Sequence, residues 1–354
     1  MNLNEHIHQV ISRSRSFFTR KEPGYFLIQT TVPFAAPEIP PLYDFNLDEQ
    51  LELWLEYKLQ VAREKWRSKL GLDDDTIPAI CPTFGIAEHS AWLGLDVQLQ
   101  QDTCLPVPVP DWKENIDSLQ LNSTNKWFQY MKRGYDFLRR QQDGSFLLSI
   151  RGTMCPMDLA NAICGDDLFL DFVLNPQDVH QLMTFLVPAI KWYYGHLCNW
   201  ADRIDSGYVM HLGNSWIGPG FLGHISNDAA FLCSAAIYQE FGFPYEYALV
   251  KDFKNVLYHV HNEKMQFVPQ VTKLPNLSLL EISIDPKTND PIEELSNIYD
   301  LTGNANLMLH ATSEQVRKHI YELKTRNVLL DIQCPDRADA QDIIQFVRSH
   351  SKPL

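Results

Sequence analysis

The chain has 354 residues, with 30 Lys+Arg against 44 Asp+Glu and a formal net charge of −14. That acidity argues against a nucleic-acid-binding protein, which needs a basic face to replace phosphate counterions. Hydrophobic residues at 45% and charged residues at 21% exclude disorder over most of the chain.

The opening MNLNEHIHQV has no basic segment followed by an apolar core, so no secretory signal is expected. Apolar stretches are broken well before the roughly 18 residues a membrane span requires. Seven scattered cysteines form no C-x-x-C pair, so free thiols in a reducing cytoplasm are expected.

In chain order, a short β-like run, Tyr25 to Thr31, precedes an irregular segment punctuated by Pro33, Pro37, Pro40 and Pro41. Leu51, Leu55, Leu59 and Ala62 fall at helical spacing within Leu47 to Leu70, which predicts a long amphipathic helix. Asp73, Asp74 and Asp75 predict a solvated turn after it. Residues 1–75 therefore read as an N-terminal helical and irregular extension.

From Ile77 onward short apolar runs alternate with amphipathic stretches. The runs cover 77–81, 145–150, 207–212, 255–260, 278–284, 305–309 and 327–332. Predicted helices include Asn125 to Gln142, Pro176 to Ala201, Ser313 to Lys324 and Ala338 to Ser349. Strand followed by helix, repeated along the chain, marks a parallel α/β architecture. No G-x-G-x-x-G and no P-loop is present, which disfavours a nucleotide-binding doubly wound sheet. The expectation is a (β/α)8 barrel over 76–354 with one strand unplaced. Chemistry is then expected at the carboxyl ends of the strands.

His259 and His261 close the run Asn255-Val256-Leu257-Tyr258-His259-Val260-His261. Alternation puts both on one face, about 7 Å apart along the strand, where two imidazoles suit a divalent metal. One hydrogen-bonded and one solvent-facing histidine is the plainer alternative. Cys334 follows another predicted strand end and is a candidate third ligand, with Asp331 as its rival. Glu281 shares an inward face with Ser283, and burial there should favour its protonated form as an acid, base or substrate anchor. Asp228 follows Ser226 and Asn227; it either caps a helix beginning near Ala229 or reaches a substrate.

Glu88 and His89, after Pro82-Thr83-Phe84-Gly85, are expected at the same mouth. So are His211, Asn214 and Trp216, followed by Gly218-Pro219-Gly220, a mobile loop over a pocket or a plain surface turn. No G-x-S-x-G elbow and no H-E-x-x-H motif occurs, so serine-hydrolase and zincin chemistry have no support.

Several segments together resemble the uroporphyrinogen decarboxylase superfamily. They are Met157-Asp158-Leu159-Ala160-Asn161-Ala162-Ile163-Cys164-Gly165, then Phe169-Leu170 and Pro176-Gln177-Asp178-Val179-His180. Ile225-Ser226-Asn227-Asp228 with Tyr238-Gln239-Glu240-Phe241 and Pro244-Tyr245 follows, then the H-x-H where that superfamily often has H-x-C-G or H-x-D-G. Gly303-Asn304-Ala305-Asn306, within Leu301 to Leu309, resembles its late glycine-asparagine strand. The resemblance spans residues 77–350 and implies a (β/α)8 barrel, with dimers common among its members.

Its decarboxylases carry an N-terminal arginine motif that holds substrate carboxylates. Here Pro23-Gly24-Tyr25-Phe26-Leu27-Ile28-Gln29-Thr30-Thr31 has neither arginine. The cobalamin-linked methyltransferases fit better. Their zinc ligands, a His and a Cys two apart plus a later Cys, would correspond to His259, His261 and Cys334, with His in place of the middle Cys and Asn262 in place of glycine. The resemblance thus implies a zinc-dependent methyltransferase working with a corrinoid on a partner protein and a small-molecule substrate. The alternatives are a decarboxylase of a porphyrinogen or smaller acid, and a non-catalytic small-molecule-binding barrel.

Overall fold

A computed structural model describes residues 3–116, 119–263 and 265–354. Its main element is a seven-stranded parallel sheet. In spatial order the strands are Phe26–Thr31, Val328–Gln333, Leu307–Thr312, Leu277–Ser283, Asn255–His261, Phe221–Ser226 and Thr153–Met154. Buried on both faces, parallel strands read as apolar runs: Val328-Leu329-Leu330 pairs in register with Leu307-Met308-Leu309, and all but Met308, at 1%, are fully buried. A second parallel pair, Ala79–Ile80 with Leu147–Leu148, lies on the same short segment as Thr153–Met154. The architecture is mixed α/β.

The expected helices form close to their predicted bounds, and others, such as Leu3–Thr19 and Leu295–Thr302, lie outside them. Leu47–Ser68 buries Leu51, Trp54, Leu55 and Leu59, and the Asn46 side chain caps it by accepting from the Asp48 amide. Ser313–Leu323 starts with a capping box between Thr312 and Gln315. Pro176–Trp200 carries Pro188 in its interior. Among the described residues no helix is long and apolar enough to cross a membrane.

Four expectations change. The strand Phe26–Thr31 falls inside the expected extension but pairs along its length with Val328–Gln333, so the boundary at 75 cuts through the sheet. Asp74 and Asp75 are not solvated: they are 3% and 2% exposed. Amides on the free side of Phe26–Thr31 need acceptors, and these carboxylates supply them. Ile28 N donates to Asp75 Oδ2 at 2.7 Å, and Thr30 N to Asp74 Oδ2 at 3.1 Å. Lys69 neutralises Asp74, and Arg13 and Arg348 neutralise Asp75.

The run 207–212 meets Ile150 in a single parallel bridge at Met210 and otherwise enters an antiparallel hairpin, Gly207–Val209 against Trp216–Ile217, because Gly213 and Asn214 reverse the chain at φ +67° and +50°. Phe221–Ser226 is a strand of the parallel sheet that lies outside the expected runs. Gly218-Pro219-Gly220 leads into it at the amino end, opposite the strand termini that carry the histidines. Its backbone is tied down there, with Lys254 N donating to Gly220 O at 2.7 Å. It is no loop over the site.

Candidate metal centre

Alternation along five neighbouring strands gathers polar side chains at their carboxyl ends. In register, His259 stands beside Ser226 on one side and Glu281 on the other, His261 beside Ser283, and His310 beside Asp331. The intervening Tyr258, Val260, Leu280 and Ile282 are fully buried. Strand periodicity thus sends imidazoles and carboxylates to one face and apolar side chains to the other.

His259 Nδ1 pairs with Glu281 Oε2, and His261 Nδ1 with Asp285 Oδ1 at 2.6 Å. With each Nδ1 engaged, the Nε2 atoms face one another at 3.3 Å. Asp228 Oδ1 lies 3.4 Å from His261 Nε2. One donor atom each from Asp228, His259 and His261 therefore falls within a 4.8 Å cluster. A carboxylate behind each ligating imidazole is the arrangement that fixes ring orientation and tautomer in metal sites.

Glu281 also joins His310, whose Nε2 donates to Oε1 at 2.6 Å while its Nδ1 donates to Asp331 Oδ2 at 3.0 Å. Burial pushes the Glu281 carboxyl up, but hydrogen bonds from His259 and His310 outweigh it and hold it at about 2. The expected protonated form is overturned, because burial acts on a carboxylate clasped by two imidazoles. His310 is lowered by burial and raised more strongly by Asp331 and Glu281, to about 10. His261 is raised to about 9 by its contact with Asp228, against burial and with help from Asp285.

Cys334 stands outside the cluster. Its amide continues the strand pairing to Thr31 O at 2.9 Å, and its buried thiol rests against Ile332 O at 3.7 Å. Burial, reinforced by Asp339, pushes the thiol up to about 12. The reason is parity: Asp331 takes the inward position and backs His310, and Cys334 lies past the strand end. Asp228 is the third donor in its place. Asp228 makes no side-chain cap; Asp158 Oδ1 accepts from Ala229 N at 2.7 Å and leaves the Asp228 carboxylate to face His261.

Glu88 is 2% exposed, pairs with Arg151 Nε and accepts from Phe84 N. His89 and His211 are both pushed well down, by burial and then by the Arg151 charge. Asn214 serves the hairpin turn, its carbonyl accepting from Ile77 N at 3.0 Å. Trp216 packs away from the mouth at 2% exposure, among Ile7, Val10 and Ile11, and its indole N–H donates to Ile204 O.

His224, His310, Asp285 and Arg151 were not singled out from sequence. Of these, His310 carried a readable signal, since Leu307-Met308-Leu309 runs into it just before a helix cap at Thr312. His224 sits edge-on to His259, ring centroids 5.2 Å apart, and burial, then the His259 charge, push it down to about 3.

No family model matches the chain, and no curated protein is similar to it. The family resemblance therefore rests on the residues quoted for it.

Proposed function

We propose that the chain is a metal-dependent enzyme of the uroporphyrinogen decarboxylase superfamily, with zinc held by His259, His261 and Asp228. The observation that carries this reading is the pair of Nε2 atoms 3.3 Å apart, each ring fixed from behind by a carboxylate, with a carboxylate oxygen beside them. With the proton that Asp228 and Asp285 favour on His261 displaced by the metal, two neutral imidazoles and one carboxylate would suit a catalytic zinc with an open position.

The reaction we favour is methyl transfer to or from a small molecule. Zinc there would lower the pKa of a bound thiol, and a corrinoid on a partner protein would supply or accept the methyl group. In this scheme Glu281 and Asp285 hold the ligand rings, and His310 keeps a proton at Nε2 against Glu281. The imidazoles of His89, His211 and His224 offer uncharged hydrogen-bonding groups to the substrate.

We propose further that the two parallel sheets form one closed (β/α)8 barrel. Supporting this, the segment from Leu147 to Met154 belongs to both sheets, and Asp74 and Asp75, just before Ala79–Ile80, bond across to Phe26–Thr31. Porphyrinogen decarboxylation is the weaker reading, since the N-terminal arginines are missing and Arg151 is engaged by Glu88.

The test is metal content of untagged protein grown with ample zinc. The expected result is near one zinc per chain, lost in His259→Ala and Asp228→Ala but retained in Cys334→Ser. Metal-free wild type overturns the reading and leaves a metal-independent decarboxylase or a non-catalytic binding protein as the next hypotheses.

A further inference from the structure

One buried carboxylate grips the chain beside two of the three candidate ligands. Glu246, on the helix Phe243–Val250, is fully buried. Its Oε1 accepts from Asn227 Nδ2 at 2.5 Å and from the Tyr258 hydroxyl at 2.8 Å, and its Oε2 from the Tyr238 hydroxyl at 2.6 Å. Asn227 immediately precedes Asp228, and Tyr258 immediately precedes His259.

A carboxylate enclosed this completely is costly, and an apolar side chain of similar volume would fill the space without that cost. Its three donors compensate the burial but do not explain why a polar group stands there. Position does. Successive strand residues point to opposite faces, so holding the Tyr258 hydroxyl among the helices sets the rotation that aims His259 at the metal centre. Asn227 is fixed at both ends of its amide, since its Oδ1 accepts from Ala230 N at 3.1 Å. That fixes the turn carrying Asp228.

Resting on the metal reading above, we propose that Glu246 is a positioning residue for that centre. It ties Asn227 to Tyr258 and thereby sets the separation of Asp228 from His259. His261, the third candidate, has its own anchor in Asp285.

The experiment measures zinc affinity by competition with a chromophoric chelator, and the visible absorption of the cobalt(II)-loaded protein, on the full chain. Glu246→Gln should bind zinc about 10–100-fold more weakly, the range for outer contacts of metal ligands, and shift the cobalt bands. Tyr258→Phe should change both in the same direction by less, and it carries the test should Glu246→Gln fail to fold. Leu249→Ala, a fully buried residue of the same helix, controls for general destabilisation; it should lower the melting temperature and leave affinity and spectrum unchanged. Wild-type affinity and spectrum in Tyr258→Phe and in folded Glu246→Gln overturn the role of Glu246 while the metal reading stands. So does weakening in Leu249→Ala equal to that in Glu246→Gln. A wild type that binds no zinc overturns both.

Discussion

Glu281 and His310 meet at 2.6 Å between adjacent strands, and this contact, together with His259 on Glu281 and Asp331 on His310, reverses what burial alone would do to each. The carboxyl is held at about 2 and the imidazole at about 10, each as its charged form. Asp331 on the far side of His310 and His259 on the far side of Glu281 extend the same alternation of charge.

The pair makes stability depend on pH at both ends. The His310 contribution is fully present below its ordinary 6.5 and is lost as pH rises through about 10, because its folded pKa is raised. The Glu281 contribution is present above its ordinary 4.5 and is lost as pH falls through about 2. Urea unfolding of His310→Gln at pH 6 should show a loss of about 3 kcal/mol, the scale for breaking a buried pair. The difference from wild type should shrink steadily from pH 7 to 10; a difference constant over that range counts against the assignment.

Asp75 is the next sensitive position. Its removal orphans the Ile28 amide, takes the carboxylate partner from Arg348 and leaves Arg13 only its more exposed pair with Asp73. Asp75→Ala should cost about 3–5 kcal/mol in denaturant unfolding. Asp75→Asn, which still accepts from the amide, should cost less. Equal effects would mean that charge contributes nothing there.

Gly152 has no room for a side chain. A Cβ would lie 2.6 Å from both His224 Nδ1 and the His224 carbonyl oxygen. Gly152→Ala should therefore destabilise by about 1–3 kcal/mol and displace His224 from beside His259. The check is a thermal melt together with the imidazole NMR signals of His224. An unshifted His224 resonance would contradict the packing.

Much of the site was readable because strand side chains alternate with a period of two. That rule alone puts His259 with His261 and turns Glu281 inward. What it lacked were partners distant in the chain. His310 joins His259 in holding Glu281 charged, and Asp158 takes the cap expected of Asp228. Three consecutive acids look solvated, and Asp73 is exposed, but Lys69 pairs with Asp74 and Arg13 and Arg348 with Asp75, from elsewhere in the fold. In Phe221–Ser226, Gly223 and His224 interrupt the apolar run, so the pattern does not mark a strand there. For Cys334, the strand runs on through Gln333 and the Cys334 amide still pairs with Thr31, so alternation keeps the thiol on the outward side opposite Asp331.

The pairing of Phe26–Thr31 with Val328–Gln333 also bears on how the polypeptide is made. Tyr25 N donates to Asn327 Oδ1 across a separation of 302 residues, a loop that carries a large closure entropy. During translation Phe26, Leu27 and Ile28 emerge from the ribosome long before their partner strand exists. They stay an unpaired apolar edge until Val328–Gln333 is synthesised, which gives a chaperone a defined segment to shield. Any nascent chain arrested before Val328 leaves that edge open.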